Sequence, residues 1–130
     1  MVTPNSPSDW ANIAGQFRNT MRVDSFSATP TAANTRFGGA VIGIRGRIVA
    51  HRVATRVAPA AGVQDTAVAV NGTINSGAQA TQAIAATSQD TLSLSIDVEP
   101  GDIITAQTGD NVDAATRDLV SSVEVLQRFL

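Results

Sequence analysis

The chain has 130 residues, which suits one domain built around one core and is too short for two ordinary ones. Its 11 acidic and 9 basic residues leave a formal net charge of −2, so attraction to nucleic acid through an excess of cations is argued against. It has no Cys, which removes a disulfide framework, a thiol nucleophile and a cysteine zinc site.

The 43% apolar fraction is carried by Ala and Val more than by Leu, and Thr and Ser fill much of the remainder. Small and β-branched residues suit a pleated, half-buried surface, so the composition leans to strands. Only 15% of residues are charged, and all the basic ones are Arg. So low a charge fits a subunit that hides much of its surface in an assembly. The opening from Met1 to Asp9 is polar and lacks the apolar run of a signal peptide. The longest uncharged stretch, Thr66 to Gln89 apart from nothing but small and polar residues around its few aliphatics, does not read as a membrane span. A soluble protein with no membrane partner is expected.

In chain order, residues 1–20 read as an N-terminal arm and 21–130 as the domain proper. Ser8 or Asp9 is a plausible helix N-cap, and Trp10, Ile13 and Phe17 follow at helical spacing. A short amphipathic helix results, which either covers one end of the core or docks on a partner. From Met21 to Ala28 the pattern changes to the alternation of a strand, and Thr29 to Thr35 is an irregular linker. Gly38-Gly39 opens a long strand in which Ile42, Ile44, Ile48 and Ala50 share one face and Arg45, Arg47 and His51 the other. Near Arg52 the parity reverses, which predicts a bulge or a corner between sheets.

Pro59 to Gly62 reads as a turn and Thr66 to Val70 as a strand ending at Asn71-Gly72, a strong hairpin signal. The return, Thr73 to Asn75, is short, and Ser76 to Thr87 reads as a loop with a short edge strand. The clearest alternation is Thr91 to Val98, with Leu92, Leu94, Ile96 and Val98 on one side. Glu99 to Asp102 is a turn, Ile103 to Ala106 a strand, and Gly109 to Asp113 a polar loop. Thr116 to Leu130 fits helical and strand spacing alike, and its Val content in this context favours strand. Six to eight short strands with turns between them predict an antiparallel sandwich or barrel.

Catalytic chemistry is thin. His51 is the only imidazole, and no nucleophile elbow, phosphate loop or zinc-protease motif occurs. Asp97, Glu99 and Asp102 around one turn, and Asp110 and Asp113 around another, lack the spacing of a dedicated calcium loop. They read as solvated turn residues, and Asp102, directly after Gly101, as a turn-stabilising side chain that accepts backbone N–H groups. No catalytic residue, cofactor or metal is expected. The Arg45, Arg47 and His51 stripe is a candidate interface for an acidic patch on another protein, and Trp10, Ile13 and Phe17 are the candidate partner-contact arm.

Three segments taken together, Gly39 to Val53, Val68-Ala-Val70-Asn71-Gly72, and Ile96-Asp-Val98-Glu-Pro-Gly101-Asp102-Ile-Ile-Thr105, resemble jelly-roll domains of tailed-phage structural proteins. The likeness covers roughly the last two thirds of the chain and is greatest to capsid decoration, or cement, proteins. It implies an all-β, antiparallel jelly-roll-like β-sandwich that forms a homotrimer on the outer capsid surface of a virion. The implied partner is the major capsid protein, and no enzymatic activity is implied. The alternative is a trimeric tail-fibre or baseplate head that binds a receptor or glycan. The absence of Tyr and of any loop Trp counts against it. A metal-binding jelly-roll enzyme needs several His, and the chain has one.

Overall fold

The computed structural model describes residues 20–128, and among them the regular secondary structure is entirely strand. The strands are β1 (Thr20–Ser27), β2 (Arg36–Val41), β3 (Gly46–Val57), β4 (Gln64–Val70), β5 (Thr73–Gln82), β6 (Ser88–Thr91), β7 (Ile96–Val98), β8 (Ile103–Thr108) and β9 (Arg117–Gln127). They form two antiparallel sheets. Sheet A runs β1-β9-β3, with β6 and β7 both on the far edge of β3, and sheet B runs β2-β8-β4-β5. The helical arm expected around Trp10, Ile13 and Phe17 lies outside the described residues.

The two sheets share one core. Val23, Ile48, Val123 and Val125 from sheet A pack in one cluster with Val68, Ala78 and Ile104 from sheet B, joined by Ile42 and Val98. Alternation along each strand brings these residues to the inner faces, and each fully buried aliphatic side chain contributes roughly 1.5–3 kcal/mol. A smaller cluster of Val53, Ala80 and Leu119, with Phe37 against it, continues the core.

Several local expectations are met. Asn71 and Gly72 have φ of 51° and 83°, as a tight hairpin turn requires at both central positions. The C-terminal segment is strand, because β9 lies between β1 and β3 and alternates buried Leu119, Ser121, Val123 and Val125 with outward residues.

Four readings change. The long strand from Gly38 is two strands in different sheets, divided at Ile42 to Arg45, where the chain crosses from sheet B to sheet A. Ile42 and Ile48 are both core residues, so their spacing hid the crossing. The parity reversal is real, and its bulge falls between Ile48 and Ala50. Ala50 and His51 are consequently both buried, and Arg52 points out.

The stretch from Ser76 is mostly strand: β5 extends to Gln82, with Ala78, Ala80 and Gln82 turned inward. Small and polar inward residues carry no hydrophobic signal, and Gln82 is held instead by Nε2 donating to Thr55 Oγ1 at 3.1 Å. The clearest alternation, Thr91 to Val98, is broken into β6 and β7. β6 pairs with residues 51–54 of β3 and β7 with 46–48, so the gap sits opposite the β3 bulge. Leu92 is left exposed, and Ser93 takes a positive φ of 56°.

One close approach depends on a glycine. A Cβ on Gly38 of β2 would overlap Ser25 Oγ and lie 2.5 Å from its Cβ on β1. Gly38→Ala is expected to destabilise the protein by roughly 1–3 kcal/mol, because the two sheets would have to part locally. Ser25→Gly in the same chain should recover much of the loss, whereas Ser25→Ala should not, since it keeps the Cβ. Urea denaturation of the four proteins checks this.

Candidate functional site

His51 is the first residue to place, since it is the chain's only imidazole. It is completely buried, facing the interior from β3. Its Nδ1 lies 2.7 Å from the Ala78 carbonyl on β5, and its Nε2 2.7 Å from Ser121 Oγ on β9. A carbonyl only accepts, so Nδ1 carries the proton and donates, and Nε2 accepts from the Ser121 hydroxyl. Burial pushes its pKa below the ordinary value, and the Ala78 carbonyl opposes that shift. A Ser–His pair of this kind has the spacing of an activated nucleophile, yet Ser121 is also fully buried and a backbone carbonyl stands where an orienting carboxylate would. The pair ties three strands and both sheets together.

The basic stripe is therefore not one surface. Arg45 lies in the loop before β3 and pairs with Glu99 at 2.8 Å, while Arg47 is half-buried on β3 opposite Asp97 and Leu126. Val49 and Ala50 put the bulge between Arg47 and His51, and the extra residue turns the imidazole to the core. Sequence parity through a bulge misassigns every residue beyond it.

Asp102 stabilises its turn as expected, whereas Asp113, expected to be solvated, is buried and fully engaged. Asp102 accepts the Glu99 N–H at 2.9 Å and the Asn71 side-chain amide at 3.0 Å, and these bonds lower its pKa. Asn71 Oδ1 in turn accepts the Ile103 N–H at 2.9 Å, so two neighbouring turns are locked to each other. Asp113 accepts the N–H groups of Ala60, Ala61, Gly62 and Ala115 at 2.9–3.0 Å. Led by the Ala60 bond, they bring its pKa down to about 2. Among the described residues no group of three His, Asp or Glu side chains is placed to hold a metal ion.

What remains is two outer faces of different character. The outer face of sheet A is laced with charge. Arg52 pairs with Glu124 at 2.6 Å and lies 3.9 Å from Asp90, Arg56 pairs with Asp118, and Arg128 pairs with Asp97 at 3.0 Å. On sheet B, register and alternation direct Gly39 and Val41 of β2 and Ile103 and Thr105 of β8 outward, while Gln107 of β8 and Ala67 and Ala69 of β4, of the same parity, are buried. Ile74 of β5 stands opposite Ala69. The charged residues that share this face are Arg36 and Asp65, and Asp65 is buried, accepting from Thr81 Oγ1 at 2.7 Å and Asn111 Nδ2 at 2.8 Å. Val41 and Ile103, directly paired, are 64% and 46% exposed, and Ile74, 46% exposed, stands two strands away in the Thr105–Ala69 row. Pattern reading missed the Val41–Ile103 pair because only the pairing of β2 with β8 brings the two together. No protein-family model matches the chain and no characterised protein matches it in sequence.

Proposed function

We propose that this protein is a non-enzymatic structural subunit that works by assembly: a jelly-roll decoration protein that forms trimers on the outer surface of a viral capsid and stabilises the shell. The observation that carries the assembly reading is the partition of charge between the sheets. Ion pairs on sheet A suit a face kept in water. The sparsely charged outer face of sheet B, with Arg36 its exposed charge and Val41, Ile103 and Ile74 exposed, suits a face covered by protein. Burying apolar area there contributes about 25 cal/mol per Å², without the desolvation cost of charges.

The strand order supports the jelly-roll reading. With β6 and β7 counted as one interrupted strand, eight strands divide into two four-stranded sheets of order β1-β9-β3-β6/β7 and β2-β8-β4-β5. The capsid, the three-fold symmetry and the virion location rest on the resemblance of the three segments described above. Repeated modest contacts across a shell give strength through avidity, which needs no deep pocket.

The test is the mass of the purified protein in solution followed by co-sedimentation with empty capsids. A trimer, or a multiple of it, that pellets with capsids is expected. Ile103→Arg should dissociate the trimer while leaving the circular dichroism spectrum unchanged, because Ile103 is an exposed position. A wild-type monomer that ignores capsids would end this reading.

A further inference from the structure

We infer that β1 is a pairing edge for a second copy of this chain: two β1 strands join antiparallel about a two-fold axis at Val23, placing Arg22 of each copy opposite Asp24 of the other. The proposal is independent of the capsid reading.

β1 is the terminal strand of sheet A, and its only strand partner among the described residues is β9. One side of its backbone therefore presents the alternating N–H and C=O groups of an open ladder. The other edges of the two sheets are blunted. β2 contains Gly38 and Gly39 and has a register shift beside Phe37. β5 is irregular against β4 between Asn75 and Ala80, and β6 and β7 are four and three residues long. β1 has none of these devices. It runs eight residues, free of Pro and Gly, in unbroken register from Thr20 to Ser27.

Its charges select one register. Arg22 and Asp24 are exposed and have no ion pair or hydrogen bond through their side chains, whereas Arg52, Arg56 and Arg128 on the same sheet are paired. When two copies meet with Val23 opposite Val23, both charges gain a partner, Met21 faces Ser25 and Thr20 faces the exposed Phe26. Sliding by one residue on each copy in either direction sets Arg22 against Arg22 or Asp24 against Asp24. Sliding by one residue on one copy alone turns the inner face of one sheet to the outer face of the other. The pattern Arg-Val-Asp is thus self-complementary about Val23, as an isologous two-fold contact requires.

The chain contains no Cys, so introduced thiols report on this contact without background. R22C and D24C proteins, mixed under mild oxidation, are expected to give a disulfide-linked dimer, because directly opposed Cα atoms fall within disulfide range. Each variant alone should give little. An absent cross-link in the mixture, or an equal one in each variant by itself, overturns the register. Charge exchange gives a second readout on the full chain. R22D should weaken two-fold association about tenfold in sedimentation velocity, and R22D/D24R should restore it. Association unmoved by R22D, or not restored by the exchange, overturns the proposal. Protein that pellets with capsids yet yields no mixed disulfide would retain the capsid reading and lose this one, and the converse result would do the reverse.

Discussion

Below about pH 6.5 the stability of this protein should fall as the pH falls, at up to about 1.4 kcal/mol per pH unit, and His51 should be the residue responsible. Its neighbours across the ladders are Val123 and Thr91, and its hydrogen-bond partners are the Ser121 hydroxyl and the Ala78 carbonyl. None of them is charged, so nothing compensates a buried imidazolium. Burial lowers the folded-state pKa below the ordinary 6.5. The unfolded chain then takes up a proton in a pH range where the folded chain does not, and acid favours unfolding. Above that range His51 is neutral in both states and contributes no slope. Urea denaturation at about pH 7.5 and 5.5 should show the loss in the wild type and not in His51→Gln. The variant should also be less stable at neutral pH by roughly 1–3 kcal/mol, because Ala78 and Ser121 lose well-placed partners. Equal slopes in the two proteins would show that another group controls this range.

Asp113→Ala should produce the largest loss of any surface-loop substitution, lowering Tm by on the order of 10 °C. Asp113 is only 5% exposed, and one carboxylate serves four N–H groups on two loops. Its own N–H is accepted by Gln64 Oε1 at 2.8 Å, and Gln64 Nε2 donates to the Pro30 carbonyl at 2.9 Å. The loops after β3 and β8 and the linker after β1 are therefore joined through one side chain and its neighbour. Asp113→Asn should cost less, since one oxygen still accepts. With the folded pKa at about 2 against an ordinary 3.8, this contribution is complete above about pH 4 and is lost as the pH falls toward 2. Scanning calorimetry across pH on Asp113→Ala and on His51→Gln separates the two contributions. An Asp113→Ala protein that melts with the wild type would mean the loops are held by other contacts.

The turns were legible in the chain because their chemistry is local. Asn71-Gly72 has the positive φ values that both residues tolerate, and Asp102 accepts the backbone group three residues before it. The strand from Met21 and the C-terminal strand were legible because one face is buried and the other wet, which writes a period of two into the residues. Legibility failed where a residue's role depends on something distant in sequence. β5 could not be read from Ala, Gln and Thr, because what makes them strand residues is the ladder to β4 and the partners of Gln82. The Leu92 to Val98 alternation promised one strand, and a bulge forty residues earlier broke it.

The amino-acid sequence by itself determined the strand-rich class, the absence of cysteine chemistry, the hairpin at Asn71-Gly72 and the low charge that points toward assembly. Tertiary structure alone decided which sheet each strand joins, the inward position of His51, and the separation of charge into one laced face and one sparsely charged one. The reason is physical. Local preference sets φ and ψ and the facing of side chains within a strand, whereas strand order, bulges and exposed patches follow from which distant strands pair. Among the described residues those pairings also leave β1 with an open edge, a property no stretch of residues carries alone.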